Sequence, residues 1–149
     1  MEFSGDVDIN ATRDKVWDFL TDPHQVTQCA PGLQSIDVID DDHFKCVVRA
    51  GVGIIKGNFN FDIVWTERVA PNRGKMTANG KIPGSAVAMV SVMELADDGA
   101  GGTRMHWSSD VRVSGTIAGV GARLMGGVAD RMTKDIFGCI KSKLESPSQ

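Results

Sequence analysis

The chain has 149 residues, with 16 Lys plus Arg against 19 Asp plus Glu and a formal net charge of −3. That length suffices for one domain with a substantial core. The acidic balance and the lack of any basic run exclude general nucleic-acid binding. No apolar run reaches the roughly 20 residues that span a bilayer.

Residues 1–9 alternate. Phe3, Gly5, Val7 and Ile9 fall on one side and Glu2, Ser4, Asp6 and Asp8 on the other, the pattern of a half-buried strand. Asn10 or Thr12 caps a short helix carrying Val16, Trp17, Phe19 and Leu20. Asp22-Pro23 stops it. Residues 24–29 read as one or two further helical turns, ended by Pro31-Gly32.

From Leu33 the period becomes two. Residues 34–39 form a strand, with Asp40-Asp41-Asp42 as its turn. Phe44, Cys46, Val48 and Ala50 are the inward set of the next strand, and residues 51–57 read as a glycine-rich turn. Phe59, Phe61, Ile63 and Trp65 alternate with Asn60, Asp62, Val64 and Thr66, and Pro71-Asn72-Arg73-Gly74 is the turn that follows. Met76, Ala78, Gly80 and Ile82 follow on the inward side, then Pro83-Gly84. Val87, Met89, Met93 and Leu95 precede a loop at residues 97–102. Met105, Trp107, Val111 and Val113 then alternate with Arg104, His106, Asp110 and Arg112.

Residues 119–144 read as a long amphipathic helix. Met125, Val128, Met132, Ile136, Ile140 and Leu144 recur at spacings of three and four and share one face. Gly119, Gly121, Gly126 and Gly127 loosen its first half, since a helical glycine costs about 1 kcal/mol relative to alanine. Such a stripe is most often plain core. A helix loose at its start also suits a lid.

Short connections imply antiparallel neighbours, and a sheet with one apolar face must cover it. The fold class is therefore α+β. A curved antiparallel sheet of about seven strands grips a long C-terminal helix, with two short helices after the first strand. Residues 1–146 form a single domain and residues 147–149 a loose tail.

In a meander, alternate turns lie at one end of the sheet. The turns at residues 51–57 and 83–84 and the segment 115–121 thus share a rim. Ile54, Ile55, Ile117 and Val120 stand there with no strand to belong to. Exposed aliphatics on loops mark contact sites; the alternative is that they plug the end of the core.

Catalysis needs grouped titratable residues. His24, His43 and His106 are scattered, and no catalytic set is legible. Glu67 and Glu94 are carboxylates near strand ends that lie close to the interior. Cys29, Cys46 and Cys139 are widely spaced and match no metal motif, so no metal and no cofactor are expected. No secretory leader is legible, and the economical reading is a reducing, cytoplasmic compartment. Gly119-Val120-Gly121 matches part of a dinucleotide fingerprint, but no βαβ unit surrounds it. The expected interior is apolar: Phe59, Phe61, Trp65, Met76, Met89, Met93, Met105, Trp107, Met125 and Met132. These ten are the candidate ligand-lining residues, against the alternative of ordinary core.

Asn10-Ala11-Thr12, Val16-Trp17, Phe19-Leu20, Asp22-Pro23 and Cys29-Ala30-Pro31-Gly32 resemble the start of the G-subunit family of carbon monoxide dehydrogenase. Gly57-Asn58-Phe59, Gly102-Thr103, Trp107, Val113-Ser114-Gly115, Ile117-Ala118, Gly121 and Leu124 continue the resemblance over nearly the whole chain. It implies the helix-grip, START-like superfamily (SRPBCC), which also holds polyketide cyclases, dehydrases and lipid transport proteins. It further implies a hydrophobic ligand, a lipid or quinone, and work beside a molybdenum-containing CO dehydrogenase or related hydroxylase. The implied location is the cytoplasm, with peripheral contact on the inner face of the cell membrane. The expectation is a non-catalytic carrier or membrane adaptor. The rivals are a cyclase- or dehydratase-type enzyme using Glu67, Glu94 or Ser109, and a ligand-free assembly factor.

Overall fold

The computed structural model describes residues 1–145; the expected tail at 147–149 lies outside them. Seven strands form one antiparallel sheet: β1 (Glu2–Ile9), β2 (Leu33–Asp40), β3 (His43–Val52), β4 (Ile55–Val69), β5 (Arg73–Ile82), β6 (Ser85–Asp97) and β7 (Thr103–Gly115). Their order is β1-β7-β6-β5-β4-β3-β2. Between β1 and β2 lie α1 (Arg13–Thr21), α2 (Pro23–Val26) and a 3₁₀ turn at Thr27–Cys29. A second 3₁₀ turn, Thr116–Val120, leads into α3 (Ala122–Glu145).

The caps follow local chemistry. Thr12 accepts a hydrogen bond from the Lys15 amide and starts α1, and Asp22 accepts from the His24 amide and starts α2. The Gln25 side chain also donates to Asp22 and holds its carboxyl below the usual carboxylate range.

Strand parity is as the alternation predicts. Ile9, Phe44, Cys46, Val48, Phe59, Trp65, Leu95 and Met105 are buried, and their neighbours along each strand face outward. Several turns are tighter than expected: Asp40 ends β2, Asp97 ends β6, and Arg73 and Gly74 already pair in β5 rather than forming the turn after Pro71. Two further boundaries differ. Residues 51–57 are not one turn: β3 and β4 pair as far as Val52 and Ile55, leaving only residues 53–54 as the tip. The last helix begins at Ala122 rather than near Gly119, because Gly121 at φ 89° breaks the chain direction there.

Another difference concerns the cysteines. Cys29 and Cys139, 110 residues apart, form a disulfide, whereas a reducing compartment would leave both as thiols. The bond ties the 3₁₀ turn before β2 to the C-terminal half of α3. Closing so long a loop restricts the unfolded chain, and native disulfides are worth about 2–4 kcal/mol. Cys139→Ser should lower the urea midpoint accordingly, with near-identical far-ultraviolet circular dichroism before unfolding. An unmoved midpoint would show that the bond does not form in the purified protein.

The core is divided. One cluster gathers Ile9, Val16, Trp17, Phe19, Leu20, Leu95, Met105 and Ile140 at the α1 end of the sheet. A second gathers Val52, Phe59, Ile117 and Met125 at the opposite end. A third, Phe44, Cys46 and Val48 on β3, is packed against Leu33 and Ile36 of β2 and Phe61 and Ile63 of β4.

Candidate functional site

Helix α3 crosses the concave face of the sheet and is anchored at both ends. Ile140 belongs to the first cluster, and Ile136 and Phe137 pack against it. The Phe137 ring lies 5.8 Å from that of Trp107. Met125 belongs to the second cluster, with Val128 packed against it. Between these ends, Met132 on the helix and Met76, Met89 and Val111 on the sheet belong to none of the three clusters. All four are half-buried. The middle of the concave face is thus an apolar trough that no cluster fills, with its methionines still accessible.

The lining has a local cause. Three inward glycines each underlie an aromatic ring. A Cβ on Gly80 would come within 2.5 Å of the Phe61 ring, one on Gly74 within 2.7 Å of Trp65, and one on Gly5 within 3.1 Å of Trp107. Each ring therefore lies over the backbone where a Cβ would otherwise stand. With Ala78 between Gly74 and Gly80, the inward face of β5 carries little bulk apart from Met76 and Ile82.

The ten expected lining residues divide. Phe59, Trp65, Met105 and Met125 are buried in the packed core. Phe61, Met76, Met89, Met93, Trp107 and Met132 are half-buried along the trough. Six of the ten therefore remain accessible on the concave face, and four are taken up by the packed core.

Polar groups on the concave face are few. Thr103 is buried and donates to the Ala11 carbonyl. Cys46 faces inward as a free thiol, and burial pushes its pKa up, so it stays neutral and inert. Ser91 and Ser109 stand opposite each other on β6 and β7, their hydroxyls 2.7 Å apart.

The two glutamates lie elsewhere than expected. Glu67 and Glu94 are both exposed, and both pair with Arg73, at 3.3 and 3.8 Å. Glu94 alternates with the inward Met93 and Leu95, so strand parity sends it outward. His106 pairs with Asp6 and Arg104 with Asp8 on the same convex face, around a cleft of about 680 Å³. His43 contacts Asp62. Among the described residues, no group of three or more His, Cys, Asp or Glu could hold a metal ion.

The rim assembles as the meander predicts. The Thr116 amide donates to the Gly84 carbonyl and the Ile117 amide to the Ser85 hydroxyl. The tip at Gly53 sits against Leu124 and Val120. The four rim aliphatics are not equivalent. Ile54 is 88 % exposed and Ile117 only 1 %. Ile55 and Val120 are half-buried against the second cluster. Ile117 is thus a core plug and Ile54 the free tip, with Leu124 beside it at 42 % exposure.

Charge at this end is one-sided. Residues 49–61, 80–93 and 111–129 contain Arg49, Lys56, Lys81, Arg112 and Arg123, and no Asp or Glu. Arg112 reaches Asp110 at 3.5 Å, while the other four make no ion pair among the described residues. No helix of the described residues is long and apolar enough to cross a membrane.

A seven-stranded antiparallel sheet gripping a long C-terminal helix over an apolar face defines a START-like, helix-grip protein. Solved structures share that fold. A conserved protein from Geobacillus kaustophilus superposes with a TM-score of 0.91 at 26% identity, covering 97% of this chain and 95% of that one. A START superfamily protein from Mycobacterium smegmatis does so with a TM-score of 0.74 at 10% identity, covering 97% of each. The model of the CoxG family, the G subunit of carbon monoxide dehydrogenase, matches residues 5–145, and the chain belongs to that family. No curated relative matches the chain significantly.

Proposed function

We propose that this protein is a non-catalytic carrier of an apolar molecule, a lipid or an isoprenoid quinone. It works beside a molybdenum-containing CO dehydrogenase or a related hydroxylase, and its rim touches the surface of the cell membrane. The observation that carries this reading is the accessible apolar trough between the two anchored ends of α3. A core built only for stability would fill that space, since interiors pack to crystal-like density. The family membership supports the partner. The non-catalytic reading is supported by the position of Glu67 and Glu94, paired with Arg73 away from the trough.

Trp107 is the natural reporter, being half-buried at one end of the trough. Titration with a short-chain isoprenoid quinone should quench tryptophan fluorescence saturably. Trp107→Phe should remove most of the change, because Trp17 and Trp65 are buried in packed surroundings. A quinone that leaves the wild-type emission unaltered and binds by no other assay would remove the quinone and favour the ligand-free assembly factor.

A further inference from the structure

We infer that Ser91 and Ser109 form a polar anchor inside the trough, and that the molecule carried bears a carbonyl oxygen which this pair binds. The inference rests on the carrier reading and specifies its cargo. The two residues are cross-strand partners on β6 and β7. Their rows are flanked by apolar ones. Next to them lie Met89 with Val111 on one side and Met93 with Trp107 on the other, and across β5 stands Met76. They fall between the two anchored ends of α3, in the section of the sheet that neither end cluster covers.

Hydroxyl bookkeeping sets the chemistry. Each serine hydroxyl has one hydrogen to donate and two lone pairs. The 2.7 Å bond between them uses one hydrogen. The second hydrogen has no acceptor among the hydrogen bonds of the described residues, so the pair presents one free O–H inside an apolar wall. Polarisation by the first bond strengthens that donor. An acceptor oxygen on an otherwise apolar guest satisfies it, and a plain hydrocarbon leaves it unpaired. Quinones and fatty-acyl esters both supply such a carbonyl.

The test uses matched probes with the full chain. One is a 2-methyl-1,4-naphthoquinone carrying a short isoprenoid chain, and its partner is the 2-methylnaphthalene with the same chain. A fatty-acid methyl ester and the corresponding alkane form the second pair. A neutral hydrogen bond gained on binding should favour the carbonyl member by about two- to tenfold. The double variant Ser91→Ala with Ser109→Ala should erase that preference and bind the hydrocarbon at least as tightly as the wild type does, since no O–H is then left unpaired. Removing both partners leaves no orphaned hydroxyl, so the fold should survive. A serine-dependent preference within either pair supports the inference, and the larger one names the source of the carbonyl. Equal binding of both members by the wild type, or a preference that persists in the double variant, overturns it and leaves the carrier reading intact. Binding of no probe at all overturns the carrier reading, and the anchor with it.

Discussion

The variant Ile54→Ser, Lys56→Gln, Arg123→Gln is expected to lose binding to phosphatidylglycerol vesicles by about 3–5 kcal/mol, or about two to nearly four orders of magnitude. One exposed isoleucine contributes about 1–3 kcal/mol on leaving water. Each cation near an anionic surface adds about 1 kcal/mol. Ile54 is 88 % exposed and the two cations make no ion pair among the described residues, so the urea midpoint should not move. Co-sedimentation at low and high salt reads the result, and the wild-type signal should weaken with salt. Ile55→Ser behaves differently. It removes a side chain packed with Val52 and Phe59, so it should cost stability more than membrane affinity. A triple variant that sediments like the wild type would place the membrane-facing mouth elsewhere.

Gly115→Ala should be among the most destabilising single changes in the chain. Gly115 has φ 80°, a region that side chains with a Cβ rarely adopt. A Cβ there would stand 2.1 Å from the Gly84 carbonyl oxygen. That oxygen already accepts from the Thr116 amide at 2.9 Å, so the clash is with backbone fixed by a hydrogen bond. A loss of about 3 kcal/mol or more is expected, read as a drop in the urea midpoint. Gly32→Ala meets the same obstacle, with φ 80° and the Arg49 carbonyl oxygen 2.1 Å away. Gly119→Ala is the control. Nothing lies within 4 Å of its Cβ position, and the change should be nearly neutral. If Gly115→Ala unfolds no more easily than Gly119→Ala, the rim is looser than its geometry implies.

These two glycines explain why the family resemblance was legible. Cys29-Ala30-Pro31-Gly32 and Val113-Ser114-Gly115 each end on a glycine that close backbone approach demands. The sheet was legible for a related reason. One face packs and the other meets water, so hydrophobicity alternates with period two in each strand. Where alternation ran into glycine, the reading faltered. Gly51 and Gly57 are strand residues rather than parts of a long turn, and the sequence carries no sign that their neighbours pair. The disulfide was illegible because Cys29 and Cys139 meet only when α3 folds back over the sheet.

The site was legible in part. Methionines and aromatics at inward positions marked the trough, but sequence does not tell which of them the core consumes. Trp65 and Met105 vanish into packing, while Met76 and Met89 stay accessible. Ser91 was missed although strand parity places it inward between Met89 and Met93, because only apolar residues were counted in the inward set. Glu94 shows the converse. Its parity is outward, and proximity to a strand end was a poor guide. Ile117 looked like a rim aliphatic because the 3₁₀ turn that tucks it under β6 depends on the Ser85 hydroxyl, 32 residues away.

The central claim is that the trough holds an apolar molecule. The direct measurement is native mass spectrometry of the purified protein, followed by organic extraction and identification of whatever is released. The account predicts an adduct of one apolar, carbonyl-bearing molecule per chain. Incubation with quinone-loaded vesicles should restore the adduct after delipidation. A chain that stays at its bare mass before and after that incubation would contradict the account.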